Sequence, residues 1–148
     1  MSFHVIRMTR EKGECFGLLP KLAEAMLEFG ITYGQHGADE MYRRFEASFI
    51  LGDDSAAAWL GLDGDTLRGH LVSFVEPVMG KPTAHVQQLH IVSRHVPQWA
   101  RDQVQEEFEQ WARDRGCFSV MAITRVDYPR LWKRFGFERW RAVYTKEL

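Results

Sequence analysis

The sequence predicts an α+β (mixed α/β) domain: a central mixed, mostly antiparallel sheet with one parallel β–α–β unit, flanked by about four helices. Two observations support this fold class. Short apolar segments separated by turn residues precede residue 93, which is typical of antiparallel strands. From Gln88 to Thr124 the pattern then becomes strand, long helix, strand, a unit whose strands pair in parallel. The 148 residues suit a single domain, residues 1–148.

Composition and charge exclude several classes of protein. Hydrophobic residues make up 45% of the chain and charged residues 26%, which predicts a folded globular protein. The net charge of -1 gives no general attraction to nucleic acid or to an anionic membrane. No apolar run reaches the roughly 18 residues that span a bilayer, and no signal peptide is evident. We therefore expect a cytoplasmic protein, or a virion-associated one if a phage encodes it, without membrane or nucleic-acid partners.

The N-terminal third predicts one strand and two helices. Phe3–Thr9 alternates like a short strand, and Leu18–Phe29 carries apolar residues at helical spacing. Gly30 fits the C-cap of that first helix. Asp39 is expected to cap a second helix. The apolar face of this second helix comprises Met41, Tyr42, Phe45 and Phe49.

The next segment predicts three strands joined by two turns. Ala56–Leu62 and Leu67–Glu76 read as a hairpin around Asp63-Gly64-Asp65, a sequence typical of tight turns. A second turn is expected over Pro77–Pro82, followed by a strand over Thr83–Val92. These strands alternate in a way that predicts an antiparallel meander.

The last of these strands contains an irregularity. Its apolar residues change phase between Val86 and Leu89, so a regular strand would place them on opposite faces. A β-bulge that absorbs one residue would restore a single buried face. The alternative is a strand that is buried on both faces and needs no bulge.

The C-terminal part begins with a long amphipathic helix. Pro97 is expected as its first residue and Gly116 as its end. The apolar stripe comprises Val96, Ala100, Val104, Phe108, Trp111 and Ala112. Cys117–Thr124 is nearly all apolar, which predicts a central strand covered on both sides. A short helix, Phe135-Gly136-Phe137 and a last strand complete the chain.

Two segments carry a family resemblance. Leu131–Phe137 is similar to the Tyr-x-x-x-Gly-Phe ending of the GNAT N-acetyltransferase superfamily, and Trp111–Cys117 looks like that family's helix-to-strand turn. The order of elements resembles GNAT proteins over nearly the whole chain. The short, divergent form also resembles GNAT-like proteins encoded by tailed phages.

The resemblance implies binding of acetyl-CoA or another acyl-CoA. The family holds the pyrophosphate with Gln/Arg-x-x-Gly-x-Gly/Ala, at the start of the helix after the fourth strand. Here Trp99 and Arg101 occupy the two glycine positions, and Pro97 removes one N–H. Arg94, His95 and Arg101 are expected to substitute partly by charge. The cofactor-binding residues implied are Ile91, Val92, Arg94, Gln98, Trp99 and Arg101.

The catalytic residues of the family are also altered. The tyrosine that protonates the leaving thiolate corresponds to Trp132, which has no titratable proton, and Tyr128 is the candidate replacement. His90 lies on the strand expected to carry the general base and has a suitable pKa range. A packing role for Tyr128 and a structural role for His90 are the alternatives. His85, His90 and His95 do not share one strand face, so no metal site is expected.

Two classes of function follow from the sequence. The first is an acyl-CoA-dependent N-acyltransferase, with a degenerate cofactor motif, that acylates a small-molecule or protein amine. The second is a non-catalytic GNAT-like protein, such as a phage virion component or a factor that binds a host protein. A basic tail from Arg125 onward is a further candidate contact surface, including for a second copy of the chain.

Overall fold

The computed structural model describes residues 2–30, 32, 37–123, 129–138 and 146. Five strands and four α-helices lie in this part of the chain, together with a 3₁₀ turn at Ser93–His95. The elements in chain order are β1 (Phe3–Arg7), α1 (Glu14–Phe29), α2 (Ala38–Leu51), β2 (Ala56–Asp63), β3 (Thr66–Val78), β4 (Lys81–Ile91), α3 (Gln98–Asp114), β5 (Ser119–Met121) and α4 (Pro129–Arg134).

The five strands form one sheet in the order β1-β2-β3-β4-β5. The first four strands are antiparallel to their neighbours, and β5 runs parallel to β4 after the α3 crossover. The fold class predicted from the sequence is therefore confirmed, including the β–α–β unit.

The predicted bulge is present in β4. Val72 pairs with Gln88 and Ser73 pairs with Val86, so Gln87 has no opposite residue on β3. The strand is also covered on both faces, because Gln87 and Gln88 are both buried. The bulge and the two-sided burial, which seemed to be alternatives, thus occur together.

Two hydrophobic cores lie on the two faces of the sheet. The first joins the sheet to α1 and α2, and its most fully buried large side chains are Leu22, Met26, Met41, Phe45, Leu60, Val72 and Phe74. The second joins the sheet to α3 and α4, and its largest members are Trp59, Leu71, Val86, Leu89, Phe108, Trp111 and Trp132. The apolar stripe predicted for the long helix faces this second core.

Asp54, in the turn before β2, links the C-terminal end of α3 to β1 through hydrogen bonds. Its backbone has a φ of 60°, and its carboxylate accepts hydrogen bonds from Arg7 and Arg115. Its carbonyl oxygen accepts the indole N–H of Trp111 at 3.2 Å. One turn residue therefore fixes the end of the helix that crosses from β4 to β5.

Three helix starts differ from the sequence prediction. α1 begins at Glu14, four residues before the predicted Leu18. Gly37 is the N-cap of α2, so Asp39 lies inside the first turn, where its charge suits the helix dipole but does not cap. Pro97 is the N-cap of α3 in extended conformation, and the helix begins at Gln98. The C-cap prediction is confirmed: Gly30 has a φ of 68° and donates its N–H to Met26.

The strands also differ in their limits. Pro77 pairs with Pro82, so the β3–β4 turn is shorter than predicted and consists of Met79-Gly80, both at positive φ. This is the backbone that two-residue hairpin turns require. In the described residues β5 is shorter than predicted, with Ser119 exposed, so the expectation of a fully covered strand is wrong there. The predicted last strand lies outside the described residues.

Within the described residues, none of the helices is long and apolar enough to cross a membrane.

Two glycine substitutions test how closely β3 and β4 approach. A Cβ on Gly69 would lie 2.9 Å from the carbonyl oxygen of His90, whereas one on Gly17 in α1 meets nothing within 4 Å. We expect Gly69→Ala to lower the free energy of unfolding by about 1–3 kcal/mol. Gly17→Ala should raise it by up to about 1 kcal/mol, because alanine favours helix. Urea denaturation measures both, and an unchanged midpoint for Gly69→Ala would contradict the close strand approach.

Candidate active site

A cleft opens where β4 and β5 separate. In the part of the chain that the structure describes, their ladder runs from Thr83–Ser119 to His85–Met121, while β4 continues to Ile91. The bulge at Gln87 lies two residues after His85, the last β4 residue of this described ladder, and bulges bend and twist a strand. The second half of β4 therefore has no described partner on the β5 side and forms one wall of the cleft.

A cavity of about 370 Å³ occupies this cleft between α3 and α4. Small-molecule sites commonly have volumes of about 300–1,000 Å³ and mostly apolar walls. Its apolar walls are formed by Leu71, Val86, Leu89, Phe108, Val120, Trp132, Phe135 and Phe137. Gln105 closes one side by donating its amide N–H to the Phe135 carbonyl at 3.1 Å. The cavity suits an extended, largely apolar arm of a ligand.

The N-terminus of α3 retains its donors. Pro97 lies before the first helical residue, and its carbonyl accepts the N–H groups of Ala100 and Arg101 at 3.1 and 3.3 Å. Proline has no N–H, so one donor is absent at the N-cap. The N–H groups of Gln98 and Trp99 remain in the first turn of the helix. The expectation that Pro97 removes a donor within the helix is wrong by one position.

The Trp99 side chain points away from the cleft. Its ring packs edge-on against Phe3 of β1, with ring centroids 6.0 Å apart, and about half of the residue is exposed. Since β1 and β5 are at opposite edges of the five-stranded sheet, the indole lies on the far side of α3 from the cleft. The Trp99 side chain therefore does not fill the cavity.

The other predicted cofactor-binding residues surround the start of α3. Arg94 is exposed and donates to His95 at 3.2 Å, and Gln98 donates to Asp102 at 2.9 Å. Arg101 and Ile91 line a small cavity of about 40 Å³ between α3 and the sheet. The Val92 N–H donates to the Arg68 carbonyl at 2.9 Å.

His90 lies on the opposite face of the sheet, toward α1. Its ring packs against Phe29 with centroids 4.7 Å apart, and the side chain is half-buried. The candidate base is therefore separated from the α3-side cavity by β4 itself. Tyr128, the other predicted catalytic residue, lies outside the described residues.

A second histidine, which sequence reasoning missed, accompanies His90. His70 on β3 is the register partner of His90, and their ring centroids are 5.9 Å apart. His70 Nε2 lies 2.8 Å from Gln88 Oε1, and the Gln88 amide nitrogen donates to the Met26 carbonyl at 3.1 Å. Combining the predicted hairpin with the predicted bulge would have placed His70 opposite His90.

Burial keeps His70 neutral. The side chain is 4% exposed, and this burial, opposed by the hydrogen bond to Gln88 and aided by the charge of His90, lowers the pKa of His70 to about 4. Among the described residues, no group bonds its Nδ1 atom. A buried acceptor without a partner costs about 1–3 kcal/mol, which is more often tolerated at a functional site than elsewhere.

The other histidines of the five-residue repeat lie apart from this pair. His85 Nδ1 is 3.3 Å from Glu76, which also bonds Arg44. Burial alone would raise the pKa of Glu76, but these two hydrogen bonds outweigh it and hold that pKa below its ordinary value. His95 is in the 3₁₀ turn before α3.

Trp132 lies on α4 and lines the cavity. It is 8% exposed, belongs to the α3-side core and packs edge-on against Phe137 at 5.2 Å. The side chain therefore forms part of the cavity wall and supplies no titratable proton.

A cleft beside β4, the N-terminus of α3 and a histidine on the other face of the same strand thus lie near one another. Solved structures share the fold. The chain superimposes over 99% of its length on 99% of glucosamine-6-phosphate N-acetyltransferase from Arabidopsis thaliana, with a TM-score of 0.64 and 13% identity. It matches AAC(6′)-Iy, in complex with the bisubstrate analogue CoA-S-monomethyl-acetylneamine, over 100% and 99% of the two chains, with a TM-score of 0.66 and 14% identity.

A third similar structure is a predicted acetyltransferase with acetyl-CoA from Clostridium acetobutylicum. The match covers 99% of this chain and 96% of that one, with a TM-score of 0.65 and 10% identity. The sequence itself matches no protein-family model and no curated protein. The chain thus has the GNAT fold, in a divergent sequence, and the resemblance to GNAT N-acetyltransferases is confirmed at the level of the fold.

The buried neutral His70 predicts a pH-dependent stability. Since its pKa is lower in the folded state, at about 4, than the ordinary 6.5, the unfolded chain binds more protons below pH 6.5. Stability is therefore complete above that pH and is lost as the pH falls toward 4. We expect a loss of about 2 kcal/mol between pH 7 and pH 5 from this residue.

Urea denaturation at the two pH values measures this loss. His70→Gln, which keeps a donor for Gln88 but does not titrate, should remove most of the slope, whereas His4→Gln on the exposed side of β1 should not. Equal slopes in wild type and His70→Gln would show that His70 is charged or accessible in the folded protein.

Proposed function

We propose that this protein is an acyl-CoA-dependent N-acyltransferase formed by a single domain, which transfers an acetyl or other acyl group to an amine. One observation carries the proposal: the bulged half of β4 separates a ligand-sized apolar cleft from a histidine that faces the other side of the sheet. An acyl donor in the cleft and an amine on the α1 side would meet at this strand. Two of the similar structures hold acetyl-CoA or a CoA bisubstrate analogue, which supports the same assignment.

The residues present fit acyl-CoA, which supplies the activated acyl group as a thioester. The apolar cavity suits the pantetheine arm, and we place Ile91, the last residue of β4, and Val92 between this cavity and the start of α3. The free N–H groups of Gln98 and Trp99 head the α3 dipole, where anions are stabilised. Arg94 and Arg101 add positive charge for a pyrophosphate.

The proposed chemistry is direct attack of a neutral amine on the thioester carbonyl. The C–N bond forms, the C–S bond breaks, and the amine loses one proton while the thiolate gains one. His90 takes the proton from the amine, directly or through a water. Tyr128 is proposed to protonate the thiolate, because Trp132 cannot. The acceptor is a small-molecule or protein amine that enters from the side of α1 and α2.

A second candidate function is a non-catalytic protein that kept the fold. The observation that favours it is the replacement of the two motif glycines by Trp99 and Arg101 and of the tyrosine by the buried Trp132. Such a protein would act by binding another protein, for example a phage virion component, a host protein or a second copy of itself. Binding of CoA distinguishes the two candidates.

The first experiment is a thermal melt with acetyl-CoA at about 1 mM. Ligand at about 100 times its dissociation constant stabilises by roughly 2.7 kcal/mol, which corresponds to a melting-temperature rise of a few degrees. Arg94→Glu, in the 3₁₀ turn before α3, should reduce the rise, whereas Arg113→Glu, exposed near the C-terminal end of α3, should not. No rise in the wild type would favour the non-catalytic candidate.

The second experiment measures thiol release with acetyl-CoA and a broad panel of amines. His90→Gln should lower kcat by about 100- to 10,000-fold at neutral pH, because proton removal from the amine loses its base. The exposed His4→Gln serves as the matched control and should retain wild-type turnover. A His90→Gln variant with wild-type turnover would assign the base elsewhere.

A further inference from the structure

A second cavity lies beside the cleft, on the same face of the sheet. It is the small cavity of about 40 Å³ under the first turns of α3, and it shares two lining residues with the cleft, Leu71 of β3 and Leu89 of β4. These two leucines are register partners and both belong to the α3-side core. One cross-strand pair of side chains therefore forms the wall between the two cavities.

Small residues account for the second cavity. Gly61 and Gly69 pair across β2 and β3 and both line it, while α3 covers the strands there with Ala100 and Val104. A glycine pair has no side chain to fill the space between sheet and helix, and glycines within strands often mark the close approach of a ligand. Phe3 closes the β1 side, because a Cβ on Gly61 would lie 3.0 Å from its ring.

The wall of the small cavity is largely apolar. Besides the leucines it comprises Val5, Trp59, Ile91 and Val96. His70 and His90 also border the cavity, but their rings pack against Phe29 of α1, on the other face of the sheet, so these residues present their backbone. Arg101 borders it where α3 begins. Apolar cavities of this kind stay dry and take up apolar ligands.

We propose that the small cavity binds the end of the acyl chain, so that the preferred donor is the CoA thioester of a short, straight-chain acid longer than acetate. This inference rests on the proposed function, whose bond changes are the same for any acyl group. The thioester lies in the cleft beside Leu89, and the chain passes between Leu71 and Leu89 into the space under α3. A change of rotamer in either leucine opens this passage.

The size of the cavity sets the length of the chain. Because one water-sized group needs about 10–15 Å³ of such space, a cavity of about 40 Å³ accepts about three. With the acetyl carbons in the cleft, two or three further carbons occupy the small cavity. The preferred acyl group therefore has about four or five carbons.

The first test measures binding without an amine. Isothermal titration calorimetry with CoA, acetyl-CoA, butyryl-CoA and octanoyl-CoA should give butyryl-CoA a Kd about 15-fold lower than that of acetyl-CoA, since each buried methylene contributes a factor of about four. Octanoyl-CoA should bind no more tightly than acetyl-CoA, because its chain exceeds the cavity.

The outcomes separate this inference from the proposed function. Equal affinities for the three thioesters overturn the inference and leave the proposed function standing. Affinity that rises further with octanoyl-CoA also overturns the inference, because the chain would then lie along an open surface. If neither CoA nor any thioester binds, both proposals fail.

The second test changes the size of the cavity. Val104 lines the small cavity and not the cleft. Val104→Ala removes two carbons and should make hexanoyl-CoA bind more tightly than butyryl-CoA. Val104→Leu adds one carbon and should reduce the preference for butyryl-CoA over acetyl-CoA about fourfold. An unchanged order of chain lengths in both variants would overturn the inference.

Val75→Ala is the matched control. Val75 packs against the α3-side core but lines neither cavity, so this variant should keep the wild-type order of chain lengths. Thermal melts without ligand show whether each variant is folded. If a Val104 variant does not fold, the other variant and the wild-type series of thioesters decide the question.

Discussion

The extra residue in β4 is the constraint on which the rest of the molecule depends. Before Gln87 the α3 face of the strand carries Val86, and after it that face carries Leu89 and Ile91. A strand with period two and no bulge would turn Leu89 toward α1 and His90 into the α3-side core. Described pairing with β5 ends two residues earlier, at His85. One backbone irregularity therefore turns Leu89 toward the cavity and His90 toward α1.

Such a bulge places polar side chains in the interior, and the structure compensates with hydrogen bonds. Gln87 donates to the His85 carbonyl at 3.2 Å, while Gln88 links α1 to β3 through Met26 and His70. Each buried polar group left unsatisfied would cost about 1–3 kcal/mol. This series of hydrogen bonds from α1 through β4 to β3 thus fixes the distance between α1 and the sheet. It also fixes the tautomer of His70.

The sequence predicted what depends on local periodicity. Neighbouring residues determine the helix faces, the Gly30 cap, the order of strands along the chain and the phase change at Val86. The structure confirms these features in the described residues. Features that depend on pairing over longer distances were missed or misplaced. The His70–His90 pair requires the register of a hairpin, and the side on which the Trp99 ring lies is set by a contact with Phe3 almost a hundred residues away. Pro97 was placed one residue too far into the helix, because proline is common at the first helical position and nothing in its neighbouring residues distinguishes that position from the N-cap.

Loss of a sequence motif and loss of a binding site are different events. Glycines in a phosphate-binding turn allow close approach of the backbone, but the attraction comes from free N–H groups and the helix dipole. Here the N–H groups of Gln98 and Trp99 remain, and the Trp99 indole packs on the far side of the helix. Under the proposed function, the side chains at the two expected glycine positions would limit how closely a phosphate approaches the backbone and would shift the balance from backbone hydrogen bonds toward the charges of Arg94 and Arg101. A site of this kind would bind its anion more through arginine and less through the main chain, so its affinity should fall more steeply with salt than that of a glycine-rich turn.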